Sequence, residues 1–526
     1  MDVLIVGAGP AGLATAIELA RLARASGERG EPLGDLAIGV LEKAGSLGEH
    51  NLSGAVVNPR AFRNLFPGMP DQEFPFRDPV AQESVYYLTG NGHTKVPTPP
   101  TMKNHGNYSA SICEIVRWLG SHAEELGVNI FTGFPVDALF IEGDAVRGVR
   151  TAASGLDRDG NPTATYAEPT DLTAHVTVLA EGTRGALTQA YLGWQGIDAP
   201  NPQIYALGVK ELWEVKRPLD RVIHTLGWPL PRDAFGGTWI YPMGPNQVSI
   251  GVVAGLDYEG SGLDTHVLLQ RLKRHPLVKP MVEGGELLEW GAKTIPEGGY
   301  YALPERRYGA GLVIVGDAVG FVDVPSLKGI HYAMQSGIYA ARTIFEALAG
   351  REEGVSEVPA AQLASYDRMV DGSYISDDLE RTRNMRLAFK DGILGGAIRA
   401  GLMTITGGRF PGGRIAMTAD AEARRRVEHV EPLVPDGVLT FSKVDAVFKS
   451  GNATRDTIPL HLVSGDVPPE VAEFYSHVCP AGVYERADDG SLRINPPNCI
   501  DCKATDVVGP RWTVREGGSG PTYRNM

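Results

Sequence analysis

The feature that most narrows the choice of fold lies at the start of the chain. Val3-Leu4-Ile5-Val6 is a short apolar run typical of a buried parallel strand, and Gly7-Ala8-Gly9-Pro10-Ala11-Gly12 follows at once, leading into Leu13 to Ala20, a good helix former. Strand, glycine turn and helix in this order open a dinucleotide-binding unit. Gly7 permits the tight turn, Gly9 lets the backbone reach a pyrophosphate, and Gly12 lets helix and strand approach, while the helix N-terminus offers unpaired N–H groups to the phosphates. A second strand is expected at Ile38-Gly39-Val40-Leu41, ending on Glu42, placed to accept a ribose hydroxyl. The polar insertion Ala23 to Gly34 reads as a lengthened loop between the two.

Two later segments separate FAD from NAD. Val176 to Gly185 reads as a strand ending in a small-residue turn, of the kind that returns to a flavin's adenosine half in glutathione-reductase-like flavoproteins, with Arg184 in the turn. Leu312 to Ala318 reads as a buried strand whose Gly316-Asp317 end is similar to their second FAD fingerprint, where the Asp carboxylate accepts a ribityl hydroxyl. Three such motifs in order point to FAD. Between them Ile112, Ile115, Val116, Leu119, Ala123 and Leu126 recur at helical spacing and predict an amphipathic helix, in which Cys113 is a core residue and not a nucleophile.

Composition excludes several classes. A chain of 526 residues exceeds the size at which one core splits, so several domains are expected. Its net charge of −14 argues against nucleic-acid binding. Val3 follows Met1 almost directly, with no basic and then greasy leader, and no apolar run reaches the roughly 18 to 20 residues of a spanning helix. The expectation is peripheral attachment at the cytoplasmic face of the inner membrane.

Several long stretches resemble the electron-transfer-flavoprotein:ubiquinone oxidoreductases, in the family's order. They are His50 to Ala55, Asn104 to Tyr108, Gly208 to Trp213, His224 to Leu230, Glu297 to Tyr300, Val324 to His331 and Cys479 to Glu485. The resemblance implies a multidomain α/β and α+β fold: a glutathione-reductase-like, Rossmann-type FAD-binding domain, an inserted mixed-sheet quinone-binding domain, and a C-terminal ferredoxin-like iron–sulfur domain. The expected division is residues 1–80, 105–190 and 300–385 for FAD, 81–104 and 191–299 for the quinone, 386–424 for a membrane-contacting link, and 425–526 for the cluster.

The resemblance also implies the reaction. Electrons arrive singly from reduced electron transfer flavoprotein and leave in pairs on ubiquinone or menaquinone; FAD suits that junction because it handles electrons singly or in pairs. Cofactor-binding roles follow for Ser53, Gly54, Lys328 and Gly329 beside Gly7, Gly9, Gly12, Glu42, Arg184 and Asp317. Gly236 and Gly237 match the paired-glycine backbone on which the quinone ring lies, a role that suits glycine because a missing side chain lets a ring approach the backbone N–H. From the residues alone the pair reads as a glycine bulge in a strand. Asp323 stands where relatives carry Asn, and Ile330 where they carry Thr.

Asp391 to Phe410 is apolar and glycine-rich, with Arg381, Arg383, Arg386, Lys390, Arg399 and Arg409 in and around it. It fits a helix lying in a membrane interface and equally a buried core helix. The quinone tilts the reading toward the membrane. Val96 to Met102 occupies the place of a second membrane-dipping loop in the family but is less apolar.

Cys479-Pro480 and Cys499-Ile500-Asp501-Cys502 have ferredoxin character. Relatives carry a further Cys where this chain has Thr505. The fourth ligand of a 4Fe-4S cluster would then be an oxygen from Thr505, Asp506 or Asp501, and a three-iron cluster or a lost cluster are the other readings. Two rival functions share the flavin motifs: an FAD-dependent monooxygenase or geranylgeranyl-reductase-type enzyme using NAD(P)H, and a non-catalytic flavin-binding partner of a respiratory complex. The first has no use for the three clustered cysteines.

Overall fold

The structure is a computed structural model describing all residues except 31–32, 158, 352–356, 424, 429–431, 455–466 and 510–514. The apolar N-terminal run forms the strand Val3–Val6 at the middle of a six-stranded sheet. Its neighbours are Ile38–Glu42 and Val176–Leu179, both parallel to it; Asn129–Thr132 and Leu312–Ile314 extend the parallel array, and Tyr308–Gly309 closes one edge antiparallel. The chain leaves Val3–Val6 on one side to build Ile38–Glu42 and returns on the other with Val176–Leu179. The crevice at the carboxyl ends of these strands is the place where such sheets bind ligands.

The helix after the glycine turn runs Pro10–Glu28, longer than the sequence suggested. The first part of the insertion is therefore helix and not loop, because Ala23 and Ser26 are buried on its inner face. Gly12 meets its expectation: a Cβ there would lie 2.1 Å from the Gly7 carbonyl oxygen. The helix Ile112–Glu125 packs on the same layer, and Cys113 is fully buried in it.

The second layer is a seven-stranded mixed sheet in the order Glu286–Pro296, Tyr205–Glu214, Gln247–Gly255, Gly236–Pro242, Val222–Gly227, Glu83–Leu88 and His93–Val96. Its faces are alternately committed. Val222, Trp239 and Tyr241 join the core of the dinucleotide domain, whereas Ile223 and Ile240 join a second core that also holds Cys479, Cys499 and Cys502. The edge strand Glu286–Pro296 carries the C-terminal module, donating from Thr294 N–H to the Cys502 carbonyl at 3.0 Å. That module comprises the helices Lys443–Phe448 and Pro469–Val478, a hairpin of Tyr484–Arg486 and Leu492–Ile494, and the short helix Ala504–Val508.

The glycine-rich stretch forms the helix Ile393–Ile405. Gly396 and Met403 face inward, while Ile398, Leu402 and Ile405, spaced as one helical row, are 59%, 41% and 83% exposed. Among the described residues no helix is long and apolar enough to cross a membrane.

Candidate functional site

One cavity of about 1610 Å³ runs between the two sheets. At one end it is lined by Gly7, Gly9, Glu42, Ser53, Gly54, Asp317, Lys328 and Gly329, and further along by Gly236 and Gly237. It then reaches Gly395, Ala397, Ala400, Gly401, Thr404 and Ile405 of the exposed apolar helix, and Pro99 to Met102. Gly12 lies behind this lining, where it sets the helix against the strand. The other predicted cofactor and quinone residues all border the same space.

The dinucleotide end is built from backbone. Gly7 has φ +106°, and a Cβ there would meet the Ala180 carbonyl at 2.4 Å, so only glycine makes this turn. A Cβ at Gly9 has nothing nearer than the Asn51 side chain at 3.8 Å, which leaves its backbone bare toward the cavity. Glu42 accepts N–H groups from Ala8 at 2.9 Å and Ala44 at 2.8 Å, one on each carboxylate oxygen. Each oxygen keeps a further lone pair for a hydroxyl. Asp317 sits in the turn Gly316–Ala318, where burial pushes its carboxyl up to about 6. Lys328 donates to Asn104 Oδ1 at 2.7 Å and the Ser326 carbonyl at 2.8 Å, and burial lowers its ammonium to about 8. These groups fit a large, hydroxyl-bearing anionic cofactor.

At the far end Gly236 and Gly237 begin the strand Gly236–Pro242. Gly236 has φ +154°, and a Cβ there would collide with the Val253 carbonyl at 2.0 Å. Gly237, Trp239 and Tyr241 share the sheet face turned to the dinucleotide domain. On the neighbouring strand His224 sits on that face, its Nε2 2.6 Å from the Tyr241 hydroxyl. Phe235 stacks on the Arg386 guanidinium at 4.1 Å, which Glu297 and Asp257 hold through bonds of 2.6 and 2.8 Å. Asp323 lies outside the lining and accepts the Ser326 N–H at 3.2 Å within its own loop.

A second, small pocket is lined by Cys479, Ala481, Val483, Tyr484, Cys499, Ile500, Cys502 and Thr505. It brings the three predicted thiols and Thr505 together. Burial pushes the Cys499 thiol up to about 12 and holds the Cys502 thiol well above its ordinary range, the facing sulfurs adding to the effect. Such thiols surrender their protons only to a strongly cationic centre. The Asp501 N–H lies 3.5 Å from Cys499 Sγ, and the Ala504 N–H bonds the Cys502 sulfur. Among the described residues no trio of His, Cys, Asp or Glu closes around a single ion. Three buried thiols lining one small pocket are a donor set that suits an iron–sulfur cluster.

Neither carboxylate candidate for the fourth position faces this pocket; both line the large cavity instead. Asp501 pairs with Lys43 Nζ, and Asp506 with Arg184 Nε at 3.1 Å. Burial opposes the charge on Asp501, yet Lys43, Lys293, Arg515 and Lys503 together hold it well below the usual carboxylate range. Thr505 is the oxygen beside the sulfurs, sharing a hydrogen bond with the Tyr484 hydroxyl. Lys43, Lys293, Lys503 and Arg515 were not singled out from sequence. Adjacency to Glu42 and Cys502 was the only signal for Lys43 and Lys503, and Lys293 and Arg515 had none.

Fold and cavity together define a dinucleotide-binding flavoprotein of the glutathione-reductase-like class. Solved structures share this fold: a geranylgeranyl bacteriochlorophyll reductase-like protein from Thermoplasma acidophilum superposes with a TM-score of 0.57 at 20% identity, over 77% of this chain and 91% of that one. A flavin-dependent brominase follows at 0.52 and 18%, over 77% and 93%. The family described as ETF-QO, ubiquinone-binding matches residues 205–295, and the electron transfer flavoprotein-ubiquinone oxidoreductase 4Fe-4S family matches residues 437–524. Over its full length the chain is 38% identical to the mitochondrial electron transfer flavoprotein-ubiquinone oxidoreductase of Arabidopsis thaliana, covering 84% of it. It is 36% identical to the corresponding protein of Dictyostelium discoideum, covering 91%, and to a probable one from Acinetobacter baylyi, covering 98%. The chain belongs to the electron transfer flavoprotein-ubiquinone oxidoreductase family.

Proposed function

We propose that this protein takes electrons from reduced electron transfer flavoprotein and delivers them, through an iron–sulfur centre and FAD, to a membrane quinone. The observation that carries this reading is the single cavity joining the dinucleotide crevice, the Gly236-Gly237 backbone and the outward apolar helix. FAD, when bound, supplies the junction between one-electron arrival and two-electron departure.

The protein's own groups do the rest. Gly7 and Gly9 admit the pyrophosphate to the helix N-terminus, with Gly12 holding the helix in place. Glu42 takes the ribose and Asp317 a ribityl hydroxyl, while Ser53, Gly54, Arg184, Lys328 and Gly329 complete the enclosure. Gly236 and Gly237 hold the quinone ring, and walls of Gly395, Ala397, Ala400 and Gly401 leave room for its isoprenoid tail. Cys479, Cys499 and Cys502 hold the cluster, with Thr505 at the fourth corner because Asp501 and Asp506 are engaged by cations. The domain division follows the boundaries given above.

The row Ile398, Leu402 and Ile405 rests in the bilayer interface, with Arg399 and Arg409 near lipid phosphates. A reducing compartment keeps Cys479, Cys499 and Cys502 available as ligands, which supports the cytoplasmic face of the inner membrane. The quinone is ubiquinone, and menaquinone would find the same room.

Rapid mixing tests the reading. Reduced electron transfer flavoprotein should bleach the flavin and a short-chain quinone should restore it, whereas NADH should do neither. Gly237→Val adds a side chain at the cavity wall, where a Cβ would lie 3.1 Å from the Thr225 carbonyl. It should slow reoxidation by quinone at least tenfold, by the loss of roughly 1.4 kcal/mol or more of transition-state binding, while sparing flavin reduction. Reduction by NADH, or equal loss in both half-reactions, would refute the assignment.

A further inference from the structure

The loop that carries two of the three thiols has a second set of partners. Cys499, Ile500, Cys502 and Thr505 line the small pocket, while Asp501, Lys503 and Asp506 line the large cavity. Asp501 pairs with Lys43, the residue after Glu42 in the dinucleotide site. Lys503, held at φ +66°, donates to the carbonyls of Thr183 at 2.9 Å and Arg184 at 3.0 Å, in the turn expected against the adenosine half of the flavin. Asp506 pairs with the Arg184 side chain. Lys293 donates to the Asp501 carbonyl at 3.0 Å, and Arg515 to the Cys499 carbonyl at 2.8 Å. Lys43, Thr183, Arg184, Lys293, Asp501, Lys503 and Asp506 all line the large cavity.

Cluster ligands and cavity-wall groups thus alternate along eight residues, and a loop this short cannot move one set without the other. The carboxylates of these pairs are buried, so removing a cation leaves an uncompensated charge. The loop is stable when both of its faces are satisfied.

We propose that segment 499–506 makes retention of FAD and retention of the cluster mutually dependent, with Asp501, Lys503 and Asp506 as the positioning residues that transmit the dependence. This rests on the placement of both cofactors given above. When the cluster is lost, Cys499 and Cys502 lose their anchor, and Lys503 and Asp506 no longer fix the Thr183–Arg184 turn. The cavity wall then loosens around FAD. Linkage requires the converse: removing FAD weakens the hold on the cluster by the same factor in affinity.

The test starts from the holoprotein. A chelator under oxidation removes the cluster, followed by visible absorbance and paramagnetic resonance, and FAD release on dilution is read from its fluorescence. In the wild type, FAD should leave severalfold faster after cluster removal, and flavin-stripped protein should lose its cluster faster than the holoprotein. In a Lys503→Met, Asp506→Asn variant FAD should leave fast from the outset, and cluster removal should add nothing; Lys503→Arg alone should keep the dependence. Equal FAD release from wild type with and without its cluster would overturn the proposal, as would an unchanged dependence in the double variant. A purified protein that holds both groups and releases them independently sinks this inference alone, whereas one that holds no iron or no flavin sinks the placement beneath it.

Discussion

The dinucleotide crevice and the cysteine pocket are built on opposite plans. The dinucleotide crevice is a wide space walled by backbone, where the decisive atoms are those that Gly7, Gly9 and Gly12 lack. The cysteine pocket is small and walled by side chains, and its decisive atoms are three sulfurs and one hydroxyl. A site of the first kind fails when an atom is added; one of the second kind fails when an atom is exchanged. Both sites draw on distant segments: Gly7 abuts the Ala180 carbonyl, and the loop of the cysteine pocket is held by Lys43, Arg184 and Lys293, more than 200 positions away.

The largest effects should come from adding atoms at the crevice. Gly12→Val would drive a Cβ to 2.1 Å from the Gly7 carbonyl and also press on Ile5. It should abolish flavin binding and destabilise the fold by roughly 3 kcal/mol. Gly9→Val meets open space, so it should lose flavin with little change in the melting temperature of the stripped protein. Flavin-to-protein ratios and thermal melts of the pair check this; a Gly9→Val protein with full flavin would break the contrast.

Exchanging one atom at the cysteine pocket should act on the cluster alone. Thr505→Cys supplies a fourth sulfur where the Thr505 hydroxyl now bonds Tyr484. The native cluster should be labile or lack its corner iron, and the variant should hold a sturdier four-iron centre at an altered reduction potential. Redox titration and spectra before and after anaerobic iron addition read the change. A native four-iron centre whose potential does not move on substitution would remove Thr505 from the ligand set.

The smallest effect concerns charge in the crevice. Asp317 is raised by burial from 3.8 to about 6, so the folded, flavin-free protein binds a proton there that the unfolded chain releases between those values. Its favourable contribution is complete below about pH 4 and is lost as pH rises through about 6. The loss is at most about 3 kcal/mol and is lessened by solvent in the cavity. Asp317→Asn should flatten this part of the stability profile of the stripped protein; an unchanged slope would assign it to other groups.

The contrast also explains what the sequence could reveal. The strand–turn–helix opening, the Gly316-Asp317 turn and the helix Ile112–Glu125 follow from local pattern, because a tight turn or an amphipathic face is a property of neighbouring residues. The Gly236-Gly237 pair reads from sequence either as a strand bulge or as a ring-binding surface, and only the folded sheet shows that it borders the large cavity. The helix past Ala20 was missed because its polar surface hides a buried row at Ala23 and Ser26. Asp501 and Asp506 looked like spare carboxylates for iron because nothing near them in the chain announces Lys43 or Arg184. Charge pairs between distant segments have no period and leave no local trace.

The hydrogen bond from Thr294 to the Cys502 carbonyl has a consequence for the life of the polypeptide before it is complete. The strand Glu286–Pro296 is an edge of the seven-stranded sheet, and its outer groups are covered by the C-terminal module, which also accepts the Trp290 N–H at the Lys449 carbonyl. Until that module emerges and docks, the edge is a template for strands of other chains. A truncated product ending before residue 437 would expose it permanently and would be expected to aggregate, however sound its flavin domain.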